Sequence, residues 1–182
     1  MNSEDGIQKI LKAAHFAAQK HTHQRRKGVT AEPYINHLIE VAQLVASAIT
    51  PPETAVVIAA LLHDSIEDVG VTKEEIVATF GHTVAELVVE MTDDKTKPKS
   101  ERKRLQVVDA PFKSAGAGLI KLADKISNLR TIRVSPPPDW SSERKREYVT
   151  WSSNVVEGLK SPNAILRAEF DEARLQLLQT LD

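Results

Sequence analysis

Apolar residues recur along this chain at intervals of three and four, and no stretch sustains the strict alternation of a strand. The spacing predicts helices over about 5–22, 36–49, 53–68, 73–80, 83–92, 100–109, 116–132, 141–158 and 163–181. Punctuation agrees. Thr72-Lys73-Glu74-Glu75 is a capping-box pattern, and Gly81 is a helix stop. Pro51-Pro52 separates the second and third helices, "SPPPD" (Ser135 to Asp139) is a stiff loop, and Ser161-Pro162-Asn163 introduces the last helix. The expectation is one all-α domain over residues 1–182, a bundle of about nine to ten helices.

The third helix departs from the amphipathic rule. Val56, Val57, Ile58, Ala59, Leu61 and Leu62 point in nearly every direction on a helical wheel, which marks a helix surrounded by protein. Yet the run ends in "LLHDSIED", with His63, Asp64, Glu67 and Asp68 on one side as two i,i+4 pairs. Charges leaving a buried helix on one side must be paired, protonated or bound to a metal.

Composition narrows the choice. With 41% hydrophobic and 27% charged residues in 182, the chain is an ordinary globular sequence long enough to bury its own core. It has no cysteine, so disulfides and thiolate metal sites are excluded. The polar N-terminus lacks a signal-peptide pattern, and the longest apolar run, Ala55 to Leu62, is too short to cross a bilayer. These features lead us to expect a cytoplasmic protein with no membrane partner. A net charge of −1 argues against nucleic acid. The basic residues are clustered, however, at Arg25-Arg26-Lys27 and in "KTKPKSERKR" (Lys95 to Arg104). That pattern suits a small polyanion or, for the second cluster, a solvated helix face.

His63-Asp64 offers one imidazole and one carboxylate. Further ligands would come from His37, in "EPYINHLIEVA", and Asp124, in "LIKLADKISNLRTI". On the latter helix Leu119, Leu122, Ile126 and Leu129 form a core face, and Lys121, Asp124, Lys125 and Asn128 the opposite one. Two imidazoles and two carboxylates suit a divalent Mn, Fe or Zn ion. The competing structural reading makes the His63–Asp68 charges ion pairs at a helix end, and Asp124 a solvated surface carboxylate. His15, His21, His23 and His82 carry no site assignment.

His37…His63-Asp64…Asp124 resembles the H…HD…D pattern of HD-domain phosphohydrolases. In order and spacing, "QRRK…PYINH", "LLHDSIED", "TDDKTKPKSERKRLQ" and "KLADKISNLR" are similar to the hydrolase domain of the RelA/SpoT family, especially its stand-alone small alarmone hydrolases. The resemblance covers nearly the whole chain. It implies a single HD-type domain with Mn²⁺ on His37, His63, Asp64 and Asp124, and a Glu67-Asp68 pair that activates and orients water. It also implies phosphate contacts from Arg26, Lys27 and Lys99, a nucleoside contact from Asn128, and Arg144 and Tyr148 on a helix closing over the ligand. The implied reaction removes the 3′-pyrophosphate of guanosine tetra- or pentaphosphate, (p)ppGpp. Hydrolysis of an adenine alarmone or of NADPH, and an inactive nucleotide-binding module, are the alternatives. Two positions depart from the family pattern. Leu38 follows the first histidine, where proline is frequent, and Ser127 precedes Asn128, where an aromatic or histidine is frequent.

Overall fold

The computed structural model describes residues 3–160 and 163–181. The helices are α1 (Ser3–Lys20), α2 (Ile35–Ala48), α3 (Thr54–Leu62), α4 (Ser65–Val69), α5 (Lys73–Phe80), α6 (His82–Met91), α7 (Lys99–Asp109), α8 (Ala115–Val134), α9 (Ser142–Gly158) and α10 (Ala164–Gln179). A 3₁₀ turn, Ala110–Phe112, follows α7. Among the described residues there is no strand, only an isolated bridge between Arg25 and Pro33. The all-α expectation holds. None of the described helices is long and apolar enough to cross a membrane.

The expected caps form. Thr72 accepts from the Glu75 amide at the start of α5, and Gly81 closes its end. Ser161 and Pro162, expected to introduce the last helix, lie outside the described residues. Asn163 beside them caps α10, accepting from the amides of Ile165 and Leu166.

Two elements organise the core. Helix α3 is buried from Val56 through Leu62, packed among α1, α2, α6 and α8. Helix α8 lies against α2, α3, α6, α9 and α10 and is buried without a break from Ile120 to Ser127. Asp124, a solvated surface carboxylate on the competing reading, is instead buried together with Lys121 and Lys125, with α9 packed against α8 and Gln106 of α7 bonded to Lys125.

The single helix expected over 53–68 is two. It breaks at His63-Asp64, where Asp64 adopts φ −99°, ψ 0°, outside regular helical geometry. The last carbonyls of α3 lack helical donors. One of them, on Ala60, accepts from His63 Nδ1 at 2.8 Å, so the histidine caps the helix it terminates. Helix α4 then runs to Gly70, whose φ of 71° ends it in the left-handed region. A period-based reading is blind to one bridge-region residue, since the charges keep the same spacing on either side of it.

Candidate metal centre and catalytic cleft

His37 projects from the first turns of α2, His63 and Asp64 from the α3–α4 break, and Asp124 from the middle of α8. These three places meet. His37 Nε2 lies 3.5 Å from Asp124 Oδ1 and 3.7 Å from Asp64 Oδ2. His63 Nε2 lies 3.1 Å from Asp64 Oδ2 and 3.9 Å from Asp124 Oδ1. Ligand atoms held ~2.0–2.2 Å from one divalent cation stand roughly 3–3.5 Å apart; the 3.1 and 3.5 Å spacings fall in that range, and the 3.7 and 3.9 Å spacings are a few tenths wider. One ligand atom from each of His37, His63 and Asp124 lies within 4.8 Å of the other two, and these three residues are buried, while Asp64 is half-buried.

The hydrogen bonds fix what each imidazole offers. His63 gives its Nδ1 proton to Ala60, so in the neutral ring Nε2 presents a lone pair. That Nε2 is buried without a hydrogen-bond partner among the described residues. The Ser127 hydroxyl donates to Glu40 Oε2 at 2.6 Å and therefore accepts from His37 Nδ1 at 2.8 Å. His37 Nε2 thus also presents a lone pair. Lone pairs and carboxylate oxygens converging inside a protein repel unless a proton or cation lies among them. The donor set fits a divalent metal of the borderline group.

Electrostatics agree. Burial pushes the His37 pKa down. Burial also opposes charge on His63, but the Asp64 carboxylate outweighs it and raises that pKa above its ordinary value. Desolvation works against ionisation of Asp64, yet His63 and His37 hold it below the usual carboxylate range. Asp124 is held well below that range, burial being overcome by Lys125, His37 and Lys121.

Around this cluster opens a cleft of about 460 Å³, in the range of small-molecule sites. Glu67 and Asp68 line it, one turn past the ligands. Glu67 accepts from the Asp93 amide and from Arg102, both at 3.2 Å, and burial raises its pKa. Asp68 accepts from Gln24 at 2.8 Å and Lys95 at 2.9 Å. Arg26, Lys27, Lys99, Asn128 and Tyr148 also line the cleft. Arg26 donates to Asn128 Oδ1 at 2.8 Å, and the Asn128 amide donates to Asp124 Oδ1 at 2.6 Å. Arg144 differs. It stands on the rim of an adjoining depression shared with Lys99, Lys103 and Tyr148, its guanidinium 4.9 Å over Trp140 and 3.7 Å from Asp139.

Sequence reasoning missed several residues. The Tyr34 phenol donates to Asp64 Oδ2 at 2.7 Å, and burial holds it protonated. Its place one turn before His37 was the available signal. Buried Lys121 and Lys125 bring two further cations to the cleft, with Lys125 4.2 Å over Trp151. His21 packs on Tyr34 and contacts the Gln24 side chain that holds Asp68.

An all-α fold that brings two histidines and two aspartates together from three helical segments beside a basic cleft has the architecture of a helical metal-dependent hydrolase. Residues 13–150 match the model of the HD domain. The chain is 51% identical over 162 residues to the guanosine-3′,5′-bis(diphosphate) 3′-pyrophosphohydrolase MESH1 of Xenopus tropicalis, covering 89% of this chain and 90% of that one. It is 50% identical to the Homo sapiens protein of the same name, over 85% and 86% of the two chains. A solved structure described as a metazoan ortholog of SpoT that hydrolyzes ppGpp superposes with a TM-score of 0.87 and 42% identity, covering 92% of this chain and 94% of that one. The chain belongs to the HD-domain family and, within it, to the MESH1 group.

Proposed function

We propose that this protein is a Mn²⁺-dependent hydrolase that removes the 3′-pyrophosphate of (p)ppGpp, giving GDP or GTP and pyrophosphate, and that it acts in the cytoplasm. The observation that carries the reading is the convergence of His37, His63, Asp64 and Asp124, the last three of which line a cleft also walled by Arg26, Lys27, Lys99, Lys121 and Lys125. The names of the relatives, which match this chain nearly end to end, support it.

His37, His63, Asp64 and Asp124 would hold the ion. When bound, such an ion polarises a phosphoryl oxygen and makes a water acidic enough to yield hydroxide near neutral pH. The chain's own groups do the rest. Water adds to the phosphorus attached to the ribose 3′ oxygen, the P–O3′ bond breaks, and a proton passes to that oxygen. Glu67 is suited to take the proton from water, because burial makes it more basic than an ordinary glutamate. Asp68, fixed by Gln24 and Lys95, orients the same water. Arg26, Lys27 and Lys99 bind phosphate oxygens, and Asn128, tied to Arg26, meets the nucleoside. Tyr148 and rim residue Arg144 cover the ligand from α9.

The test incubates metal-loaded protein with ppGpp, its adenine counterpart and NADPH, and identifies products. Release of pyrophosphate and GDP from ppGpp is expected. Turnover of NADPH alone would replace the substrate, and turnover of none would leave a binding module.

A further inference from the structure

His63 and His37 are oriented differently. His63 rests on the Ala60 main-chain carbonyl, which no side-chain change removes. His37 rests on a relay of side chains: Ser127 Oγ at 2.8 Å, then Glu40 Oε2 at 2.6 Å from that hydroxyl. Glu40 in turn accepts from Arg130 at 3.2 Å, and Arg130 also pairs with Glu169 on α10. Ser127 is fully buried on the side of α8 facing α2, and does not line the cleft. The family departure at this position therefore bears on the metal ligand rather than on the nucleoside.

We propose that Ser127 and Glu40 are positioning residues that set the metal affinity of His37. The proposal rests on the metal reading of His37 and is independent of which nucleotide is hydrolysed. A hydroxyl has one proton. Because Glu40 takes it, Ser127 can only accept from the imidazole, which keeps the proton on Nδ1 and the lone pair on Nε2. The carboxylate behind the hydroxyl also raises the basicity of the ring as a ligand. Glu40 lies outside the cleft and does not line it, so its influence on the centre runs through Ser127. Arg130 and Glu169 hold that carboxylate in place and extend the relay to the C-terminal helix.

The decisive measurement is Mn²⁺ affinity of the purified metal-free protein by calorimetry, with the d–d spectrum of the Co²⁺ form as a second readout. Ser127→Ala should keep the helical fold and weaken Mn²⁺ binding roughly 10–100-fold, the usual effect of removing such a partner. It should also alter the Co²⁺ spectrum. Ser127→Thr, which retains the hydroxyl, should recover most of the affinity. Glu40→Leu, at a half-buried site, removes the acceptor for the Ser127 proton and should weaken binding in the same direction. Adding it to Ser127→Ala should cost little more, since both break one relay. Should Ser127→Ala fail to fold, the Glu40→Leu affinity decides alone. Wild-type affinity in a folded Ser127→Ala or in Glu40→Leu would overturn the relay. Absence of Mn²⁺ binding by the wild-type protein would instead overturn the ligand set.

Discussion

At the scale of single residues, the site depends on proton positions. Asp64 and Asp124, both held below the ordinary carboxylate range, are ionised at neutral pH, and burial keeps His37 neutral. His63 is the exception, its pKa lifted above 6.5 by Asp64 in the metal-free protein. A metal must displace that proton. Mn²⁺ affinity should therefore fall about tenfold per pH unit below the raised His63 pKa, beginning above 6.5, with a slope of one proton. Titrations between about pH 6 and 8.5 read this directly; a two-proton slope would mean that His37 also protonates. For stability of the metal-free fold the sign reverses. The His63 contribution is complete below 6.5 and is lost as pH rises through the folded value. Glu67 and Asp68 call for a different experiment. Glu67→Gln and Asp68→Asn keep shape and hydrogen-bonding capacity, so both variants should retain Mn²⁺ and lose roughly 10²–10⁴ in turnover. Wild-type rates in both would remove them from the mechanism.

At the scale of elements, the loop between α1 and α2 places Arg26 and Lys27 by close backbone contact. Gly28 abuts α8's end so tightly that an added Cβ would lie 2.0 Å from the Ser135 carbonyl oxygen. Gly28→Ala must push the loop outward. We expect a loss of ~1–3 kcal/mol in denaturant unfolding, as for other overpacked sites. KM should rise more than kcat falls, because the loop carries phosphate contacts rather than the water-activating pair. An unchanged KM would detach this loop from the substrate. The helices themselves were legible in the sequence, since long periods and strong caps such as Thr72 and Gly81 dominate local preference. The α3–α4 break was not, because it turns on one backbone angle at Asp64. The burial of α8's charged face was also hidden. Amphipathic spacing tells which residues share a face, and only the packing of α7 and α9 tells whether that face meets water.

At the scale of the whole molecule, the meeting of His37, His63, Asp64 and Asp124 was legible through the family pattern, and the chain brings these four candidate ligands together from distant positions. Of their supports, Tyr34 carried a signal in its place one turn before His37, whereas Ser127 and Glu40, a lone hydroxyl and a lone glutamate, carried none. The metal should also hold the fold together, as its ligands come from α2, the α3–α4 break and α8. At about 100 times the dissociation constant, a bound ion adds ~2.7 kcal/mol, or roughly 5–10 °C in Tm for a domain of this size. Thermal scans with and without chelator measure it, and an unchanged Tm would mean that the centre is not structural. One chain of contacts has a wider effect. Asp124 accepts from Asn128, and Asn128 accepts from Arg26, so a proposed metal ligand and a proposed phosphate contact share an unbroken path of hydrogen bonds. Any factor by which a bound metal raises nucleotide affinity must be returned by the nucleotide to the metal, because binding linkage is reciprocal. Given such a factor, a cell rich in substrate would keep the protein charged with metal even when that metal is scarce.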